Sequence, residues 1–260
     1  MQELITAKYE LHTEKLRAPV RLLSIADLHS TQYGDGQQRL LSAVTAEKPD
    51  IVLFPGDIID DRRPEAPAFE VLSALGKHFP CYYVCGNHEQ RTGKLDALKQ
   101  AVADAGVTVL AGNAVTLQRN GNTLLFAGVD DPALWGGYRT WGAYPMPQQW
   151  EAELQACKKA ACEAEGACCI LLSHRPEPVK HYYDSGFDLV FAGHAHGGQL
   201  RFGPINGVFA PCQGLFPRYA GGLYTLGNTK MVVSRGLMRN RLPRFGNPPE
   251  LVSLTLLPKP

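Results

Sequence analysis

A chain of 260 residues, 45% apolar and 20% charged, is long enough to bury a substantial core and lacks the low hydrophobicity that marks disorder. Its 26 Lys and Arg against 25 Asp and Glu leave a net charge of +1, which excludes a protein drawn to nucleic acid or anionic surfaces by its whole field; any preference for anions has to be local. The longest mainly apolar stretches, such as Ile51 to Phe54 and Cys168 to Leu172, fall far short of the ~20 residues that span a bilayer, so no transmembrane segment is expected.

From Met1 to Arg17 polar and apolar residues alternate, with Lys8, Glu10, Glu14 and Lys15 where a signal peptide would carry an apolar core; a cytoplasmic location is the expectation. The first half then alternates strand and helix: strands at Leu22 to Ala26, Ile51 to Phe54 and Tyr82 to Val84, helices at Arg39 to Ala46, Ala66 to Lys77 and Leu95 to Ala105. Short continuous apolar strands of this kind belong in a sheet covered on both faces.

Between Thr108 and Gly128 the rhythm changes. Ala114 to Leu117 and Thr123 to Ala127 flank Asn120-Gly121-Asn122, the pattern of a hairpin. A Trp- and Gly-rich loop (Asp130 to Pro147) leads to a helix and then to strands at Cys168 to Ser173 and Leu189 to Ala192. The tail carries further strands, including Met231 to Ser234 and Leu251 to Leu257, which complete a second sheet. With no internal repeat and no long linker, one domain over residues 1–260, built from two stacked sheets, is the simplest expectation. Seven cysteines, odd in number and irregularly spaced, read as reduced thiols, and Cys157, Cys162 and Cys168 match no standard zinc spacing.

Five strand ends in this pattern carry polar clusters: Asp27 and His29, Asp57, Asn87 and His88, His174, then His194 and His196. In α/β sheets the loops beyond the carboxyl ends of strands converge on ligands. Five of the eight histidines fall in these segments, and imidazole, carboxylate and amide oxygen are the donors that hold Zn²⁺, Mn²⁺ or Fe at hydrolytic centres. Asp27, His29, Asp57, Asn87, His174, His194 and His196 make seven ligands, too many for one tetrahedral ion and enough for two if Asp57 bridges and a hydroxide is shared. Such a centre keeps a surplus of positive charge and suits phosphate. His88, beside Asn87, is left to bind phosphate or to protonate the leaving oxygen.

These blocks resemble the calcineurin-like metallophosphoesterases, whose dispersed pattern is Asp-x-His, Gly-Asp, Gly-Asn-His-Asp/Glu, His and Gly-His-x-His. Gly197-Gly198-Gln199 and Ser234-Arg235-Gly236 further resemble the bacterial YkuE-like branch, related to UDP-2,3-diacylglucosamine pyrophosphatases. The resemblance implies a four-layer α/β/β/α sandwich with two stacked mixed sheets. It implies Asp27, His29, Asp57 and His196 on one metal, Asp57, Asn87, His174 and His194 on the other, and His88 as the catalytic histidine. Two divalent ions, Mn, Fe or Zn with Mn placed first, and a small phosphorylated substrate follow, with a lipid-linked substrate and peripheral membrane contact left open.

Leu134, Trp135, Tyr138, Trp141 and Tyr144, with Phe202, Phe209, Leu215, Phe216 and Tyr219, form an apolar rim or pack into the core; core packing is the expectation. Two rivals stand beside the enzyme: a catalytically silent scaffold of the same fold, and a nuclease using Arg235, Arg239, Arg241 and Arg244. The arginines read better as a solvated face or a clamp for a small phosphate, so nucleic acid is not the expected partner. Arg175 stays outside the catalytic set because Glu177 and Asp184 offer it ion pairs.

Overall fold

The computed structural model describes residues 3–136, 145–203, 205–239 and 244–259. In chain order, β1 (Ile5–Thr13) and β2 (Val20–Ser24) precede α1 (Gln38–Ala46), β3 (Ile51–Pro55), α2 (Ala66–Gly76), β4 (Cys81–Val84), the short α3 (Asn87–Arg91), α4 (Leu95–Asp104) and β5 (Thr108–Val109). The hairpin β6 (Asn113–Arg119) and β7 (Asn122–Gly128) is followed by α5 (Gln148–Glu163), β8 (Cys168–Leu172), α6 (Val179–Tyr182) and β9 (Leu189–Ala192). A two-pair hairpin, β10 (Phe209–Ala210) and β11 (Gly214–Leu215), then leads to β12 (Gly222–Leu226), β13 (Thr229–Val233) and β14 (Glu250–Pro258).

Two six-stranded mixed sheets result, ordered β1-β14-β2-β3-β4-β5 and β12-β13-β9-β8-β7-β6. β2, β3, β4 and β5 run parallel with β14 antiparallel to β2, whereas β7, β8, β9 and β13 run parallel with β6 and β12 antiparallel at the edges. Continuous apolar runs make this possible, because a central strand such as Ile51–Pro55 is buried at every position. Asn120 and Gly121 both adopt positive φ, the conformation a two-residue type I′ turn needs to join β6 to β7.

Three apolar layers hold the four-layer α/β/β/α stack together. Leu22, Leu53 and Tyr82 from one sheet meet Phe126, Ile170 and Phe191 from the other, and the Tyr82 and Phe126 rings stack at 4.0 Å. The outer face of the first sheet packs under α1, α2 and α4 through Leu40, Val71 and Leu98. α5 covers the second, burying Trp150, Leu154, Cys157 and Ala161 at helical spacing. Each fully buried large apolar side chain contributes about 1.5–3 kcal/mol.

Two expectations need correction, and one strand was not anticipated. Of the tail strands only β12 and β13 complete the second sheet; Leu251 to Leu257, within β14, enters the first sheet instead, where its backbone pairs antiparallel with β2 and parallel with β1. The alternating N-terminal stretch is an edge strand, β1, paired in parallel with β14 and half-buried on one face. Phe202, Phe209, Leu215 and Phe216 are exposed and do not pack into the core, because the β10–β11 hairpin is too short for a helix or sheet to cover. Tyr219 and Trp135 do pack against the second core, while Tyr138, Trp141 and Tyr144 lie outside the described residues. All seven cysteines are free, and Cys157, Cys162 and Cys168 form no common site: Cys157 and Cys168 lie in different apolar layers and Cys162 is exposed.

Candidate metal centre

The five polar clusters follow β2, β3, β4, β8 and β9, and the two sheets bring those loops to one place. Ladder-like hydrogen bonds lace the first two loops together: the amides of Asp27, His29 and Ser30 donate to the carbonyls of Gly56, Asp57 and Ile58 at 2.9–3.1 Å. Asp27, His29, Asp57, His194 and His196 all sit at positive φ, between 47° and 64°. Left-handed backbone costs a residue other than glycine about 1–3 kcal/mol, so its concentration in these loops marks a site whose side-chain directions are imposed by the surrounding structure. Gly86 has a steric reason to be glycine, since a Cβ there would lie 2.2 Å from Asp57 Oδ1.

Asp57 is central. Its Oδ2 lies 3.6 Å from His29 Nε2 and 3.2 Å from His174 Nε2. Two groups of donors adjoin there, Asp27 with His29 and His196, and Asp57 itself with His174 and His194, each within 4.8 Å internally. His194 Nδ1 is 3.2 Å from His174 Nε2, and the His194 amide donates to both Asp27 carboxylate oxygens. The Asn87 amide lies 2.9 Å from His194 Nδ1; when its NH₂ faces that nitrogen, its oxygen accepts from Arg91 Nη2. All seven residues are buried.

Two buried imidazole nitrogens in this cluster, His29 Nε2 and His196 Nδ1, have no hydrogen-bond partner among the described residues. The electrostatics point the same way. Burial pushes the Asp27 carboxyl up to about 6. Burial also opposes ionisation of Asp57, yet His174, His29 and His88 hold its carboxyl well below the usual range. Burial works against charge on His174, but Asp57 and Asp27 carry that imidazole up to about 10. Burial depresses His194 and His196 well below the ordinary range, helped by Arg175 and His29 respectively. The carboxylates thus demand positive charge at their midst while two histidines stay neutral donors, a set that fits divalent cations.

His88 stands at the mouth, with 22% of its side chain exposed. Its Nδ1 lies 2.6 Å from Asp61 Oδ1, and Arg91 Nη1 approaches its Nε2 at 3.1 Å. Sequence reasoning missed several supporting groups. Glu89 is fully buried and accepts from the amides of Gly86, Asp57, Ile58 and Ile59, joining the loops after β3 and β4. Its place in the Gly-Asn-His-Glu block, and Arg91 one helical turn after His88, were the available signals. Arg175 does pair with Glu177, but its principal partner is Asp131, through Nε at 2.7 Å and Nη2 at 3.0 Å, and its Nη1 reaches His194 Nε2 at 3.2 Å.

Of the C-terminal arginines expected as a solvated face or a clamp for a small phosphate, the three described, Arg235, Arg239 and Arg244, are drawn into the fold and do not form a solvated face. Arg235 pairs with Glu250, Arg244 is buried and donates to the His196 carbonyl, and the Arg239 guanidinium lies 4.2 Å over the Tyr33 ring. No continuous basic track is left for a nucleic-acid strand among the described residues; Arg241 lies outside them.

A model of the calcineurin-like phosphoesterase family matches residues 20–198, which takes in all five clusters. The chain is a calcineurin-like phosphoesterase. A protein named phosphodiesterase YaeI from Escherichia coli K12 is 29% identical over 248 residues, covering 92% of this chain and 83% of that one. A metallophosphoesterase of Aquifex aeolicus is 30% identical over 262 residues, covering 96% and 90%. Among solved structures, TT1561 of Thermus thermophilus superposes with a TM-score of 0.52 at 15% identity, covering 84% of this chain and 89% of that one, a likeness of fold. This phosphoesterase is accordingly a metal-dependent phosphoric ester hydrolase whose His and Asp clusters suit divalent metal and whose substrate carries phosphate. No helix among the described residues is long and apolar enough to cross a membrane.

Proposed function

We propose that the phosphoesterase works with two divalent cations and hydrolyses a small phosphate ester or anhydride. Asp27, His29, Asp57 and His196 would hold one ion, and Asp57, Asn87, His174 and His194 the other, with manganese placed first among Mn, Fe and Zn. The observation that carries this reading is the position of Asp57 Oδ2, within 3.6 Å of His29 Nε2 and 3.2 Å of His174 Nε2, where the two donor groups adjoin. The orphaned His29 Nε2 and His196 Nδ1 support it. Cations bound there would supply Lewis acidity toward water and toward the phosphoryl oxygens.

The chain's own residues do the rest. As a ligand Asn87 would turn its oxygen inward, which gives up the bonds its oxygen otherwise accepts from Arg91 Nη2 and the His88 amide and frees Arg91 Nη2. Asp61 accepts from His88 Nδ1 and fixes the ring's orientation; Nε2, which meets the Arg91 guanidinium here, is the nitrogen left to carry a proton to the leaving oxygen once Arg91 turns to the phosphate, with Asp61 stabilising the charged ring. Arg91, next to that nitrogen, is placed to meet a phosphoryl oxygen.

The test is hydrolysis of bis-p-nitrophenyl phosphate by chelator-stripped protein with and without Mn²⁺. Mn²⁺ should restore turnover, and Asp57→Asn should lose metal and rate together. Full turnover in Asp57→Asn would remove the bridging role, and no turnover with Mn, Fe or Zn would return the chain to the silent-scaffold reading.

A further inference from the structure

From Leu189 to Pro249 the chain contains no Asp or Glu; all 25 lie outside, whereas seven of its Lys and Arg fall inside. The near-neutral total charge conceals this asymmetry. The same segment carries large apolar side chains in solvent: Leu215 is 65% exposed, Phe216 67%, Phe245 61% and Phe202 45%, with Ile205 alongside.

Backbone pairing gathers these residues on one face. Phe202 stacks on Phe245 with ring centroids 5.0 Å apart and bridges to Ile205. The Arg201 amide donates to the Phe245 carbonyl, and the Phe216 amide to Val208, which itself bonds back to Leu200. Arg218, two residues from Phe216, is exposed, whereas Arg201 is half-buried with its guanidinium donating to the Gly197 carbonyl and to the Asn206 oxygens; neither is in an ion pair among the described residues. Carboxylates from outside meet the segment at Glu250, buried in a pair with Arg235, at Asp27, which accepts from the His194 amide, and at Asp184, which accepts from the Asn228 amide in the turn between β12 and β13.

We propose that this face docks on an anionic lipid bilayer, with Phe202, Leu215, Phe216 and Phe245 among the upper acyl chains and Arg218 against the phosphate headgroups. A monomer rarely leaves so many large apolar side chains in one patch without a partner, and a segment with seven Lys and Arg and no Asp or Glu of its own complements an anionic interface. The face is also tied to the site. Gly198 carbonyl accepts from Val208, a Cβ on Gly198 would strike Gly207, and Arg244 and Asn247 hold the His196 carbonyl. Docking therefore brings the loop that carries His196 to the headgroup layer, where a phosphate group is at hand. The binding itself does not depend on how many cations the centre holds.

The test is cosedimentation of the whole chain with phosphatidylcholine vesicles, with and without about one third phosphatidylglycerol. The protein should sediment with the anionic vesicles, bind neutral ones at least tenfold more weakly, and lose at least tenfold in affinity in Leu215→Ser/Phe216→Ser. Retained hydrolysis of soluble bis-p-nitrophenyl phosphate, or an unchanged circular dichroism spectrum, shows that the variant is folded; should it misfold, Phe202→Ser/Phe245→Ser makes the same test. No binding to anionic vesicles, undiminished binding by the folded variant, or a dimer in solution that the variant dissociates while vesicle binding is absent would each overturn the proposal.

Discussion

The Asp61 carboxylate lies 2.6 Å from His88 Nδ1, on the side of the ring away from the nitrogen that faces Arg91. Asp61 belongs to the loop after β3 and His88 to the helix after β4, so the contact links the strand end bearing Asp57 to the one bearing Asn87.

If Asp61 acts by orienting His88 and stabilising its proton, Asp61→Asn should lower kcat by about 10- to 100-fold and leave KM and metal content near their original values. Asp61→Glu should recover part of the rate. Steady-state kinetics with elemental analysis of the same samples makes the check; metal lost in step with rate would mean that Asp61 acts on the centre as a whole.

Glu89 accepts four backbone amides, so Glu89→Gln turns an NH₂ group toward two of them. Buried donors left without an acceptor cost about 1–3 kcal/mol each, and the variant should lose about 3 kcal/mol against urea. The Asp57 amide is among the four, so metal affinity should fall with stability. A variant matching the parent in both measurements would show that the loops hold without the carboxylate.

Arg175 and Asp131 form a buried two-point pair. Removing one partner leaves the other's charge uncompensated, so Asp131→Ala should destabilise by about 3–5 kcal/mol, while Glu177 still offsets part of the Arg175 charge. Arg175→Lys should not substitute for arginine, because an ammonium cannot span both carboxylate oxygens. Urea unfolding of both variants reads this directly.

Much of the fold and the centre was legible because each strand end announced itself twice, by a short apolar run and by the polar cluster after it, as Ile51 to Phe54 and Asp57 do. Helix limits at α1, α2 and α4 came within one residue at either end, since apolar spacing and flanking turns agreed. β1 was missed because a half-exposed edge strand alternates weakly and its partner, β14, lies at the other end of the chain. The Asp131 partner of Arg175 was hidden for the same kind of reason: nearby Glu177 and Asp184 were visible, and a carboxylate from another loop was not. The exposure of Phe202, Leu215 and Phe216 runs against the burial that aromatic and aliphatic residues favour, and it shows only in the absence of a covering element among the described residues.

The central claim is that Asp57 joins two cations in one centre. Its most direct measurement is electron paramagnetic resonance of chelator-stripped protein titrated with Mn²⁺, alongside metal counts per chain. Saturation at two ions per chain with an exchange-coupled spectrum is expected, and in Asp57→Asn the loss of both the coupling and the second equivalent. Saturation at one ion with the signal of an isolated Mn²⁺, or a coupled pair that persists in Asp57→Asn, would contradict it.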